Sequence, residues 1–314
     1  MDKRLDGLAV GIPLHDGYFH LKTPIIAASG TFGFGLEFEP YGNIGDLGGI
    51  VTKGLSLRPK AGNPMPRIAE TCAGMLNAIG LQNCGVEYFL KEYLPRLHRA
   101  DGPKIIANIY ADKLDDFAEL AKILGSAAGV GALEVNISCP NVACGGMLFG
   151  QNPVDAGKVT EAVKKNAGSL PVIVKLSPNV TSIVEIARAC ALAGADMISC
   201  INTVGGMGVD INTRRPLLAN NVGGLSGPAI KPVALKAVWE VARAVSIPVI
   251  GIGGISSAED ILEFIMVGAW AVQIGTANFA SPDKIFKLAD ELAELMHKMG
   301  IESCSSFRNS LRPY

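Results

Sequence analysis

Cys139 stands in the run NISCPNVACGG, Asn136 to Gly146, directly after the apolar segment GALEV. A thiol that only fills a core requires no amides or proline beside it. A thiol that moves a proton needs polar neighbours and a fixed turn that keeps it within reach of a substrate. Cys139 and Cys144 are both in position for that work. Two lysines, Lys53 and Lys175, end otherwise apolar runs, GIVTK and VIVKL. A buried ammonium is costly unless an anion meets it. A phosphorylated, electron-accepting ring system would be such a partner, because a ring that is being reduced gains negative charge that a lysine stabilises. Schiff-base chemistry is the rival use of a buried lysine, but it leaves the many nearby amides unexplained.

These residues need elements to position them. Eight short apolar runs recur along the chain: 24–28, 49–53, 104–108, 133–137, 172–176, 197–202, 249–253 and 271–275. They are nearly continuous in apolar residues, as parallel strands covered on both faces are. Amphipathic stretches such as DDFAELAKIL and SAEDILEFIMVG separate most of them. Eight βα units predict an α/β fold, a TIM (β/α)8 barrel forming one domain over residues 1–314. A doubly wound open sheet is the alternative, but SGTFGFG after the first run is a poor dinucleotide turn. Residues 8–22 read as a β-hairpin turning at HDG, placed to plug the N-terminal end of the barrel. Residues 54–84 and 204–227 read as long loops on the opposite, C-terminal face, where barrel enzymes keep their chemistry.

The strand ends at that face carry Ser29, Lys53, Asn108, Asn136, Lys175 and Asn202 with Thr203. Six consecutive polar ends describe a lined cavity better than they describe solvated termini. The last two strands end in Gly253-Gly254 and Gly275-Thr276, with Ser256 or Ser257 as the cap of the following helix. Glycine lets backbone N–H groups approach a phosphate, and barrels often bind one with the loops after strands seven and eight. Glycines needed only for sharp turns are the plainer reading.

Composition narrows the function classes. Lys plus Arg number 28 against 29 Asp plus Glu, so no global basic excess exists to hold nucleic acid or an anionic membrane. The N-terminus has no apolar run long enough for a signal peptide or a spanning helix, which leads us to expect a soluble, cytoplasmic protein. Seven irregularly spaced cysteines argue against a zinc or iron–sulfur site held by this chain and suit free thiols in a reducing compartment.

TKGLSLRPKAGNPMPRIAET, GMLNAIGLQN, NISCPN, CINT, IGIGGI and QIGTA, in that order over essentially the whole chain, resemble class 1 dihydroorotate dehydrogenases. The GNPMPRIAET and GMLNAIGLQN segments look most like the catalytic subunit of class 1B, the NAD-dependent form. NISCPN alone would also suit the pyrimidine-reducing domain of dihydropyrimidine dehydrogenase. The resemblance implies an FMN barrel that oxidises dihydroorotate to orotate in pyrimidine synthesis. Carried over by motif, the FMN contacts would be Ser29, Lys53, Gly54, Asn108, Asn136, Lys175, Ile201, Gly227, Gly253, Gly254, Gly275 and Thr276. The substrate contacts would be Lys53, Asn77, Ala78, Ile79, Gly80, Leu81, Asn136, Asn202 and Thr203.

By the same resemblance Cys139 would be the base, taking the C5 proton while a hydride leaves C6 for the flavin. A free thiol titrates near ~8.5, so a modest downward shift, to which Lys53 could contribute, would poise it for neutral pH. Asn77, Asn136, Asn141 and Asn202 suit the ring amides and carboxylate. An arginine would be expected at that carboxylate, and the motifs assign none. The loop 139–150, with Gly145, Gly146 and Gly150 as hinges, reads as a lid. Class 2 relatives use serine as base and carry an N-terminal extension; this chain has cysteine. Class 1B would pass electrons to NAD through a second subunit carrying FAD and a [2Fe–2S] cluster, in a heterotetramer of two copies of each. A class 1A or dihydropyrimidine-type dehydrogenase, separable by its acceptor or substrate, and a non-catalytic FMN- or phosphate-binding scaffold are the other readings kept open.

Overall fold

A computed structural model describes residues 7–137 and 149–314. The first elements are the antiparallel pair β1 (Val10–Leu14) and β2 (Gly17–Leu21), the hairpin expected from HDG. Alternate residues Val10, Ile12, Phe19 and Leu21 are buried, the period-two pattern of a ribbon with one face on a core. The Phe19 ring lies 6.0 Å from the Lys104 ammonium, at the start of the third barrel strand. The hairpin therefore covers the N-terminal end of the barrel.

The barrel strands are β3 (Ile25–Ala27), β4 (Gly49–Val51), β7 (Lys104–Ile109), β8 (Ala132–Asn136), β9 (Val172–Leu176), β10 (Met197–Cys200), β15 (Val249–Ile252) and β16 (Ala271–Ile274). They close in chain order, all neighbours parallel, with β16 pairing back onto β3. All eight apolar runs thus become strands, each within a few residues of its expected bounds. Helices return the chain outside the barrel: α1 (Leu114–Gly125), α2 (Pro153–Asn166), α3 (Ile183–Leu192), α4 (Lys231–Ala244), α5 (Ala258–Met266) and α6 (Lys284–Met299). In α1 the buried residues are Phe117, Leu120, Ala121 and Leu124, spaced i, i+3, i+4, i+7 as one helix face requires. The α5 start is fixed by a capping box between Ser257 and Asp260. No helix among the described residues is long and apolar enough to cross a membrane.

The two long excursions are not irregular loops. The first carries β5 (Ile68–Thr71) and β6 (Gly74–Asn77); the second carries β11 (Val204–Gly206), the short ribbon β12 (Val209–Asp210) with β13 (Arg215–Pro216), and β14 (Gly223–Ser226). Four of these strands form one antiparallel sheet in the order β11-β14-β6-β5. Asn77 pairs with Gly224 and Met75 with Ser226 across the join between excursions. Local sequence gives little sign of this sheet, because β11 and β14 are glycine-rich and show no alternation of apolar and polar residues. The pairing that stabilises them comes from a distant part of the chain. Leu76, Ala78 and Leu218 form a small apolar cluster of their own, with Ala69 and Leu225 against it.

That separate cluster has a measurable consequence. Leu76→Ala should remove about 2–3 kcal/mol from the roof sheet alone. Amide hydrogen exchange is expected to speed up over 68–77 and 223–226 while the barrel strands keep their protection; equal loss of protection in the barrel would contradict a roof with its own core.

Candidate active site

A cleft of about 1170 Å³ opens at the C-terminal ends of the barrel strands, between them and the antiparallel sheet. The barrel supplies Ser29 after β3, Lys53 and Gly54 after β4, Asn136 at the end of β8 and Lys175 in β9. Ile201, Asn202 and Thr203 follow β10, Gly253 and Gly254 follow β15, and Gly275 and Thr276 follow β16. The excursions supply Asn77, Ile79, Gly80, Leu81 and Gly227. Residues read from distant motifs are thus brought to one cavity.

Two of the expected residues do not line it. Ala78 is fully buried in the small roof core, and its N–H donates to the Arg67 carbonyl at 2.8 Å. Strand alternation turns it away from the side that Asn77 and Ile79 present. Asn108 is also fully buried, inside the barrel. Its Nδ2 donates to Glu134 Oε1 at 2.8 Å, while its Oδ1 has no hydrogen-bond partner. That oxygen lies 3.1 Å from where a side chain on Gly54 would begin, so Asn108 sits beneath the cleft wall at Gly54. Cys139, Cys144, Asn141, Gly145 and Gly146 lie outside the described residues; Gly150 is buried at the far end of that segment.

Glu134 is not among the residues expected from the sequence, because the LEVNI run reads as one apolar strand. Glu134 is wholly buried. Its Oε1 accepts from Asn108, and its Oε2 accepts from Ser199 Oγ at 2.9 Å and Gln273 Nε2 at 2.6 Å. The signal available was an acidic residue inside an otherwise unbroken apolar strand, which must be paired or hydrogen-bonded to be there. Arg67, Thr71, Ser226, Ser256 and Lys284 also line the cleft. Arg67 belongs to GNPMPRIAET, so the expectation that the motifs hold no arginine for the site is corrected.

The electrostatics are those of a site built for an electron-rich ligand. Lys175 is buried and Lys53 half-buried, and neither side-chain amine makes an ion pair or hydrogen bond among the described residues. Burial lowers the Lys53 pKa, the nearby Arg67 charge lowers it further, and Glu37 opposes them. Two ammonium groups held this way are costly until an anionic or electron-rich group meets them.

At the glycine loops, Asp260 Oδ2 accepts from the N–H groups of Ser256 at 2.7 Å and Ser257 at 3.0 Å. Ser257 is the cap of α5, while the Ser256 hydroxyl donates to the same carboxylate oxygen. The Lys231 ammonium lies 2.6 Å from Asp260 Oδ1. Asp260 therefore uses the first amides of that turn, and its pKa is lowered by Lys231 and Ser256 against the opposing effect of burial. The N–H groups of Gly254, Ile255, Gly275 and Thr276 find no acceptor among the described residues. Gly254 has φ +76°, and a side chain there would begin 2.8 Å from the backbone nitrogen of Lys231. Free amides around a glycine turn, two uncompensated ammoniums and the unpartnered Asn108 Oδ1 fit a phosphorylated flavin such as FMN.

The described thiols away from the cleft are poor bases. Burial pushes Cys200 and Cys304 up to about 12 and Cys190 up to about 11.

A family model described as dihydroorotate dehydrogenase matches residues 17–296. Relatives named dihydroorotate dehydrogenase B (NAD(+)), catalytic subunit, include one from Solidesulfovibrio magneticus, 67% identical over 93% of this chain and 95% of its own. One from Maridesulfovibrio salexigens is 59% identical, and one from a Geobacter species 53% identical, each with the same two coverages.

The Glu134 cluster yields a stability test. Glu134→Leu strands three buried donors and should lower unfolding stability by about 3 kcal/mol or more, since each orphaned group costs on the order of 1–3 kcal/mol. Denaturant unfolding measures it, and a loss under about 1 kcal/mol would mean that the cluster carries no strain when cut.

Proposed function

The chain belongs to the dihydroorotate dehydrogenase family, as an oxidoreductase of the NAD-dependent B type, and we propose on that premise that its cleft oxidises dihydroorotate to orotate in pyrimidine synthesis. The observation that carries the reading is convergence. Lys53, the run Asn77 to Leu81, Asn136 and the pair Asn202-Thr203 come from four parts of the sequence, and all but Ala78 line one cavity.

FMN would be held by Ser29, Lys53, Gly54, Asn136, Lys175, Ile201, Gly227, Gly253, Gly254, Gly275 and Thr276, which line the cleft, and would supply a two-electron acceptor there. The backbone N–H groups of Gly254, Gly275 and Thr276 are the ones that would hold its phosphate. Lys175 brings a fixed positive charge to the cleft, which favours any ligand that accumulates negative charge. Asn77, Asn136 and Asn202 bind the ring amides as neutral donors and acceptors, and the Thr203 hydroxyl adds one of each. Lys53 meets the substrate's own negative charge. The roof sheet limits water at the reacting face, since it covers the strand ends from which these side chains emerge.

Cys139 takes the proton from C5. It lies three residues beyond Asn136, and Asn136 lines the cleft. A thiolate in this role would be favoured by a positive charge, and Lys53 is the cleft cation we assign to that effect. Support for a partner comes from the relatives, whose names call them catalytic subunits. We assign the onward path to a subunit carrying FAD and a [2Fe–2S] cluster, which delivers electrons to NAD in a heterotetramer of two copies of each chain. The protein acts in the cytoplasm.

Anaerobic titration of the FMN-loaded chain with dihydroorotate should bleach the flavin's visible absorbance without any partner present. A yellow protein that stays yellow would move the substrate to another pyrimidine. Cys139→Ala should keep FMN bound and slow that bleaching by roughly 10²–10⁴-fold, the usual worth of a positioned base. Unchanged bleaching by the variant would remove Cys139 from the proton transfer.

A further inference from the structure

Arg67 and Lys284 are the described cleft cations that neither the flavin nor the ring assignments use, and Lys284 is already paired with Glu291 at 2.7 Å. Arg67 stands immediately before β5, at the edge of the roof. Its backbone carbonyl accepts from Ala78 N–H at 2.8 Å, which ties it to the run Asn77 to Leu81. The guanidinium is anchored twice: Nη1 donates to the Asn63 carbonyl at 3.4 Å, and Nη2 donates to Gln82 Oε1. A side chain at Gly62 would begin 2.9 Å from Arg67 Nη1 and 2.5 Å from the Ile79 carbonyl. The guanidinium thus lies against the backbone of a cleft-lining segment. Its remaining N–H donors meet no acceptor among the described residues.

The second observation is electrostatic. Arg67 is close enough to Lys53 for its charge to disfavour the lysine's protonated form. Two cations facing one region of a cleft repel each other, and an anion shared between them relieves the repulsion. The chemistry that does this is a carboxylate, which a guanidinium grips with two parallel N–H groups where an ammonium acts as a point charge.

We propose that Arg67 is the specificity residue that selects a pyrimidine ring bearing a carboxylate, sharing that group with Lys53 from the roof side of the cleft. The proposal rests on the dihydroorotate reading and deepens it. It also gives the roof sheet a role in recognition, because the selecting charge is carried on the sheet that closes over the ring.

The test is equilibrium binding to the oxidised, FMN-loaded protein, read from the ligand-induced change in the flavin spectrum. Orotate is compared with its uncharged carboxamide, which keeps the ring and loses the charge. Arg67→Gln should weaken orotate by roughly tenfold to a hundredfold, the range of one charge-assisted hydrogen bond, with the carboxamide little changed. Arg67→Lys should fall between, having the charge without the fork. Unchanged orotate affinity in Arg67→Gln overturns the proposal. So does an equal loss for both ligands, which would mark Arg67 as a prop of the roof alone. A parent protein that gives no response to orotate overturns the dihydroorotate reading itself, and the proposal with it.

Discussion

One buried carboxyl group holds the floor of the cleft. Glu134, on β8, reaches Asn108 on β7, Ser199 on β10 and Gln273 on β16. Four of the eight barrel strands are joined through its two oxygens, in the layer just below the cavity. A barrel filled only by aliphatic side chains would fix the spacing of its strands by packing, which tolerates small slides and rotations. Hydrogen bonds do not tolerate them, since they fail beyond a few tenths of an ångström and a few tens of degrees. The strand ends that carry Asn136 and Lys175 lie one or two residues beyond this layer. Their positions depend on the register that Glu134 enforces.

Charge is distributed on the opposite principle above that floor. Inside the barrel every Glu134 oxygen is satisfied. In the cleft, Lys53, Lys175 and part of Arg67 are left without protein partners among the described residues. The contrast separates structure from chemistry: the Glu134 carboxylate, which positions other groups, has both oxygens partnered, while those cleft cations are left open for a ligand to complete. Asp260 shows the same division at the glycine loops. It takes the amides of Ser256 and Ser257 to fix the start of α5 and leaves those of Gly254 and Ile255 free.

The barrel was legible because each strand is a short apolar run between amphipathic helices, a signal that survives in local sequence. The strand-end polar residues were legible for the same reason, once the strands had been counted. What escaped lies where local pattern carries no information. The roof sheet pairs residues such as Asn77 and Gly224 across the chain, and glycine strands show no alternation to betray them. Glu134 was hidden by its apolar neighbours. Asn108 was read as a cleft residue because it lies near the end of its strand, but its side chain points into the barrel, where Glu134 holds it. Arg67 was inside a quoted motif, yet only the folding of the first excursion over the barrel brings it beside Lys53.

The join between β6 and β14 also sets the order in which the molecule can be assembled. Contacts between remote parts of a chain form late, after the loop between them has been closed. A chain leaving the ribosome cannot roof the cleft until Ser226 has emerged, and it cannot close the barrel until β16 follows. The amides of Gly275 and Thr276 appear later still. During synthesis, then, nothing resembling the finished cleft exists for most of the chain's length. Ligand capture must wait for the last strand, and a chain cut short before it carries the apolar strands without the site that they serve.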